Sequence, residues 1–327
     1  MSSRRKVILV GAALLVAPFA ARAQKPTKVW RIGFLSGGPR PADGAPPAAL
    51  RQALAELGYV DGKNLTFASR WAEANGERLP GLAAELVGLD IDLLATIGAP
   101  AAEAAKGATS TIPIVVVAPG DVKETGLVEN LARPGGNITG ISDPAAELSA
   151  KRLGLLKEAL PGATRVAVIW NENDRAMTLR KSEVDKAART LRVTMLPLGV
   201  RKAEDIDAAL AAIGRERPDA IFVVSDALTN INRKRILEFS ATHHIPAMYE
   251  FGVYVQDGGL MSYGPNLDDM WQRAAVYIDR IFKGTKPGEL AVEQPTRYYL
   301  LLNLKTAKAL DLAIPQPLLL RADEVIQ

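Results

Sequence analysis

The run at 112–117 (IPIVVV) is uncharged and rich in β-branched residues, and it breaks at Ala118-Pro119-Gly120-Asp121. A short strand that is apolar on both faces belongs between two helical layers, inside a parallel sheet. An amphipathic stretch follows, then Pro134-Gly135-Gly136-Asn137, then a second β-like run at 138–142 (ITGIS). A buried strand ending in a small-residue loop puts backbone N–H groups, and here one carboxylate, at the carboxyl edge of the sheet. Open α/β sheets bind ligands at that edge.

The rest of the chain repeats the pattern. Strands are predicted at 29–36, 64–70, 91–97, 112–117 and 138–142, with helices at 47–57, 77–86 and 101–106. In the first helix Leu50, Leu54 and Leu57 share a face and Gly58 stops it. A second series has helices at 147–160, 179–191, 203–213 and 232–243 and strands at 165–170, 193–198, 220–224 and 246–250. A strand at 259–263, a long helix at 268–282, a strand at 298–302 and a helix at 305–310 complete the chain.

The two series align in order and spacing. Segment 29–38 (VWRIGFLSGG) matches 164–173 (TRVAVIWNEN), 91–100 (IDLLATIGAP) matches 218–227 (PDAIFVVSDA), and 112–121 (IPIVVVAPGD) matches 245–254 (IPAMYEFGVY). The expected fold class is α/β: two doubly wound parallel-sheet domains with an interdomain cleft. Crossings near Ser142, Gly258 and Pro295 form a three-strand hinge. The expected lobes are 24–142 plus 259–295 and 143–258 plus 296–327.

The first residues are read as a signal peptide, 1–23. Arg4, Arg5 and Lys6 form a basic n-region, 7–20 is apolar, and Ala21-Arg22-Ala23 is an A-x-A cleavage site before Gln24. Sec export is favoured over the twin-arginine route, because no cofactor demands folding before export. Residues 1–23 carry four basic groups and no acidic one, which is the whole excess of 40 Lys+Arg over 36 Asp+Glu. The mature chain is formally neutral, so charge gives no nucleic-acid partner. The chain has no cysteine, which excludes disulfides, thiolate metal sites, a cysteine nucleophile and a lipid-modified N-terminal Cys. The location expected is periplasmic, as a monomer.

The chain resembles the ABC-transporter substrate-binding proteins that include tryptophan- and tyrosine-type binders, with the type I periplasmic-binding fold. The residues that carry the resemblance are Leu57-Gly58-Tyr59 with Gly62 and Asn64; Asp92-Leu93-Leu94 with Ala99-Pro100-Ala101-Ala102; Ile112-Pro113-Ile114-Val115; Gly126-Leu127-Val128; 131–140 (LARPGGNITG); Ser225-Asp226; and Tyr263-Gly264. The family's usual Asp-Pro stands here as Asp121-Val122. The resemblance implies capture of a small solute in the cleft, closure, and delivery to ABC permease subunits in the inner membrane, with no catalytic step. It also suggests an aromatic amino acid as ligand.

Candidate ligand-binding residues lie just beyond the strand ends. From the first domain these are Ser36, Gly37, Thr96, Ile97, Gly98, Ala99, Ala118 and Asp121. From the second they are Trp170, Asn171, Asn173, Ser225, Asp226, Tyr249, Glu250 and Phe251, with Tyr263 near a crossing. Ser36, Thr96 and adjacent backbone are expected to hold a zwitterion's carboxylate, and Asp226 or Glu250 to pair with its ammonium. Trp170, Tyr249, Phe251 and Tyr263 supply apolar wall. Asp226 also has a plainer role open to it, as a helix cap.

No catalytic residue, metal or cofactor is assigned. His243 and His244 are adjacent, so on a helix they point apart. There is no G-x-S-x-G elbow and no H-E-x-x-H. Glu172/Asp174 and Asp268/Asp269 read as loop and helix-start charges. The Pro134–Asn137 loop lacks the Lys-Ser/Thr of a phosphate-binding loop and reads as a turn into the first crossing. A secreted hydrolase and an extracellular sensor of a signalling system are the alternatives.

Overall fold

A computed structural model describes residues 28–143 and 145–327; the segment read as a signal peptide lies outside the described residues. The first series gives β1 (Trp30–Ser36), α1 (Ala48–Glu56), β2 (Leu65–Trp71), α2 (Leu79–Val87), β3 (Leu93–Ile97), α3 (Ala99–Ala108), β4 (Ile114–Val117) and β5 (Ile138–Ile141). The second gives α4 (Ala145–Ala159), β6 (Arg165–Asn171), α5 (Arg175–Leu191), β7 (Thr194–Val200), α6 (Ala203–Glu216), β8 (Ala220–Val223), α7 (Ala227–Ile231), α8 (Arg233–His243), β9 (Ala247–Tyr249), α9 (Gly252–Gln256) and β10 (Met261–Gly264). After these come α10 (Leu267–Phe282), β11 (Tyr299–Asn303), α11 (Leu304–Ala309), α12 (Gln316–Leu319) and β12 (Glu324–Ile326).

The strands form two sheets. The first, in order β2-β1-β3-β4-β5, is wholly parallel. All four residues of β4 are buried, as its uninterrupted apolar run requires. Beside it Gly140 lies in the left-handed region at φ +145, where a side chain would collide with the Val116 backbone of the paired strand. The second sheet runs β12-β11-β10-β9-β8-β6-β7 and is parallel except where β10 meets β11. Its β7-β6-β8-β9-β10 portion repeats the order of the first sheet, so β1, β3 and β4 occupy the same places as β6, β8 and β9. These are the three strands that match in sequence.

One expectation is corrected. The strand expected in the first lobe at 259–263 is hydrogen-bonded between β9 and β11, in the second sheet. It is the fifth strand of the second repeat, the counterpart of β5, so the second crossing moves from residue 258 to the stretch between Gly264 and Leu267. The amphipathic stretch after β4 forms turns with no helix, and it buries Val122, Leu127 and Val128 against the first-lobe core.

After the second crossing α10 returns to the first lobe. Its apolar face, with Trp271, Ala274, Ala275 and Ile278, packs into the core formed by β1, β3 and α1. The Asn266 side chain accepts hydrogen bonds from Asp268 N and Asp269 N, which caps its start. The crossings lie side by side. Ser142 N donates to Glu293 O at 2.8 Å, and Gly264 pairs with Tyr299. Among the described residues no helix is long and apolar enough to cross a membrane.

Candidate functional site

Strands β1, β3 and β4 of the first sheet and β6, β8 and β9 of the second end at the same gap. A cavity of about 370 Å³ fills it, near the lower end for small-molecule sites. The first lobe lines it with Ser36, Gly37 and Gly38 after β1, Ala74, Gly76 and Leu79 before and at the start of α2, Ile97, Gly98, Pro100 and Ala101 around the start of α3, and Ala118 after β4. The second lobe contributes Asn171, Asp174, Met177 and Arg180, then Ser225, Asp226, Ala227, Leu228, Asn230 and Arg233, then Phe251 and Val253. Leu267, just past a crossing, completes the wall.

The lobes meet across this gap. A Cβ on Gly37 would stand 3.2 Å from Ala227 Cβ, and one on Gly120 would stand 3.2 Å from Ala176 Cβ. Ala99, at the start of α3, is 2 % exposed and packs with the core of the opposite lobe. The cleft is therefore closed, and glycines stand where it closes most tightly.

Of the expected residues, Ser36, Gly37, Ile97, Gly98, Ala118, Asn171, Ser225, Asp226 and Phe251 come together around the cavity. The others do not line it. Thr96 is fully buried one residue before the strand end, its hydroxyl without a partner. Side chains alternate faces along a strand, so Ile97 reaches the cavity and Thr96 turns away. Ala99 is an interlobe packing residue. Asp121 accepts from the backbone N–H of Lys123 and Glu124 at 2.8 and 3.0 Å and so caps its own turn. Trp170 sits in the second-lobe core under Lys181, and Asn173 is exposed. Tyr249 is fully buried and stacked on Tyr254 at 4.7 Å. Tyr263 packs at the edge of the core, and its carbonyl accepts from Arg152 Nε at 2.6 Å.

Glu250 does not reach the cavity with a free charge. It is fully buried, 3.1 Å from Arg152 and 2.5 Å from Arg180, and Arg180 also meets Asp143 at 3.2 Å. Burial opposes the Arg180 charge, but Glu250 and Asp143 outweigh it and hold the guanidinium above its ordinary pKa. The cluster ties α4 and α5 to the first crossing, since Asp143 Oδ1 also accepts from Gly120 N at 2.8 Å.

The sequence reading did not foresee Asp174 or Arg180 here. Asp174 caps α5, accepting from Ala176 N at 2.8 Å and Met177 N at 3.4 Å. Burial, then the neighbouring Asp226 charge, pushes its carboxyl up to about 6. Asp226 caps α7 through Thr229 N at 2.9 Å and accepts from Asn171 Nδ2 at 2.6 Å. The cap and the site roles of Asp226 thus coexist. Arg233 is engaged by Asp257 at 2.6 Å. His243 stacks on Phe239 away from the cavity, and no His/Cys/Asp/Glu group suited to a metal occurs among the described residues.

Comparison with known proteins agrees with this geometry. A tyrosine-binding protein of Clostridioides difficile (strain R20291) is 26 % identical over 261 residues, covering 80 % of this chain and 75 % of that protein. A conserved domain protein of Vibrio cholerae superposes with a TM-score of 0.84 at 28 % identity, over 91 % of this chain and 100 % of the other. The ABC domain of Streptococcus pneumonia in complex with L-Trp gives 0.83 at 24 % identity with the same coverage. The two solved structures share the fold of this chain over 91 % of its length. The model of the ABC transporter substrate binding protein family matches residues 42–326, and the chain belongs to that family.

Proposed function

We propose that the chain is the exported solute-binding component of an ABC importer. It takes a small amino-acid-like solute in the periplasm and hands it to permease subunits in the inner membrane. The observation that carries this reading is the closed cavity itself, walled by strand ends of both lobes and flanked by three chain crossings. A solute enters such a site when the lobes part, and its contacts to both walls stabilise closure. The basic, apolar and A-x-A segments of residues 1–23 support export.

Leu79, Ile97, Met177, Leu228 and Phe251 give the cavity an apolar wall beside its polar groups, suited to an amino acid with an apolar or aromatic side chain. The tyrosine and L-Trp named for the two relatives are of that kind. The test is mass spectrometry of solute released by denaturation after gentle purification, followed by thermal unfolding with the released compound. At 100 times its dissociation constant the solute adds about 2.7 kcal/mol of stability. Absence of any co-purifying solute, together with no stabilisation by amino acids, contradicts the proposal.

A further inference from the structure

Behind the cleft cavity lies a second one, of about 400 Å³. It straddles two of the chain crossings: Gly264, Pro265 and Asn266 line it from the second and Arg297 from the third. Among the described residues Phe251, Val253 and Leu267 line both cavities, and no other residue does. The partition between the two spaces is therefore one side chain thick and wholly apolar. It is also held in place. A Cβ on Gly252 would stand 2.8 Å from Leu301 Cδ2, so the backbone between Phe251 and Val253 is pressed against β11.

The partition stands at one end of the cleft. In the second sheet β9 and β10, which lead to it, lie two and three strands from β6, which leads to Asn171 and Asp174. At about 4.8 Å per strand the separation is roughly 10–15 Å. Glu250 and Phe251 are successive but turn apart. Glu250 is bound by Arg152 and Arg180, and Phe251 packs on the core beneath α6, α8 and α9. A solute that is polar at one end and apolar at the other sets its apolar end against this partition, because a charge buried there would have no partner.

We propose that Phe251, Val253 and Leu267 set the length of the solute: they are the specificity-determining wall of the cleft, and cutting them back joins the two cavities and admits a longer apolar side chain. The proposal deepens the amino-acid reading of the cleft and rests on it. Beyond the wall Leu301 and the Tyr299 ring continue the apolar surface, and Arg297 is already held by Asp323 at 2.9 Å. The wall is open to change without loss of fold. Phe251 starts α9 with no side-chain hydrogen bond, Leu267 starts α10 where Asn266 is the cap, and both are half-buried.

The test pairs L-tyrosine with O-benzyl-L-tyrosine and L-tryptophan with 5-benzyloxy-L-tryptophan. Each is titrated calorimetrically into the mature chain, Phe251→Ala/Leu267→Ala and Ile97→Ala. Phe251→Ala alone, the milder cut, is run beside the double variant and carries the same comparison. Ile97 lines the cleft cavity but not the second one, so its truncation enlarges the cleft and leaves the wall shut. In the pair whose plain amino acid binds, the benzyl compound is expected to bind the parent chain and Ile97→Ala at least ~100-fold more weakly than the amino acid, the scale of forcing extra atoms into filled space. In the wall variants it binds within about tenfold of the amino acid. A parent chain that binds both members of the pair alike overturns the proposal. So do folded wall variants that bind the amino acid and still reject its benzyl derivative, and so does an Ile97→Ala chain that admits the derivative as readily as they do. Each of these leaves the solute-binding reading intact. If neither amino acid binds the parent chain, the amino-acid reading falls and the proposal with it.

Discussion

The two walls of the cleft are built on the same strands and carry opposite chemistry. Where the repeat places Ser36 in the first lobe it places Asn171 in the second; Gly98 answers to Ser225, Ala99 to Asp226, and Ala118 to Phe251. The first wall is uncharged: small side chains and backbone, with Leu79, Ile97 and Pro100 as its larger apolar groups. Every charged residue lining the cavity comes from the second wall. One topology has thus been given two jobs. On the proposed function, the second lobe, whose charges are oriented by helix caps and by a buried ion cluster, selects the solute, and the uncharged first lobe closes over it.

The largest test of that contrast is removal of Glu250, the centre of the second-wall cluster. Glu250→Ala leaves two buried guanidiniums short of their counter-charge, and breaking such a cluster costs about 3–5 kcal/mol. Thermal unfolding should show a melting temperature lowered on the order of 10 °C. An unchanged value means the second wall is not organised by charge.

Asp174 gives the next effect, with a pH signature. Its folded-state value lies near 6, above the ordinary 3.8, so the penalty for its charge is absent below pH ~4 and complete above pH ~6. Asp174→Asn therefore stabilises the unliganded protein at pH 7.5 by ~2–3 kcal/mol, and the gain disappears toward pH 4. Chemical denaturation of both proteins across pH checks it.

On the first wall size matters instead of charge. Gly37→Val pushes against Ala227 in the closed form only, so it weakens solute binding about tenfold, the scale of ~1–2 kcal/mol of overpacking. Stability of the unliganded chain is little changed if the lobes are free to part. Small-angle scattering with solute present should show a larger radius of gyration than the parent. The smallest effect is expected at Thr96. Thr96→Val removes a buried, unpartnered hydroxyl, so it leaves binding unchanged and alters stability by less than ~1 kcal/mol, in the favourable direction. A loss of affinity there restores a ligand role to Thr96 and blurs the contrast between the walls.

Much of the scaffold was legible in the sequence, because strands buried on both faces must be written as unbroken apolar runs. The IPIVVV and AIFV strands are such runs, and the matched segments fell on topologically equivalent strands. The sheet partner of β10 was less legible, since a four-residue strand carries no mark of its neighbour. The repeat contained the answer: a fifth strand was owed to the second sheet. The five-residue helices α7 and α9 have too few turns to leave a periodic pattern. In the site, strand-end logic found Ser36, Ile97, Asn171, Ser225, Asp226 and Phe251. It overreached at Thr96, which alternation turns into the core one position before Ile97, and at Tyr249 and Glu250, one stacked on Tyr254 in the core and the other buried against two arginines. Arg180 escaped because it sits inside a helix with its partners, Asp143 and Glu250, far off in sequence, and Asp174 because a helix-capping carboxylate reads as an ordinary loop charge.

The most direct measurement is a calorimetric titration of the mature chain with its co-purified solute, at pH 7.5, beside Asp174→Asn/Asp226→Asn. The two-wall account expects one solute per parent chain and affinity lowered at least ~100-fold in the variant, with both proteins folded. Equal affinity in the two proteins would contradict it.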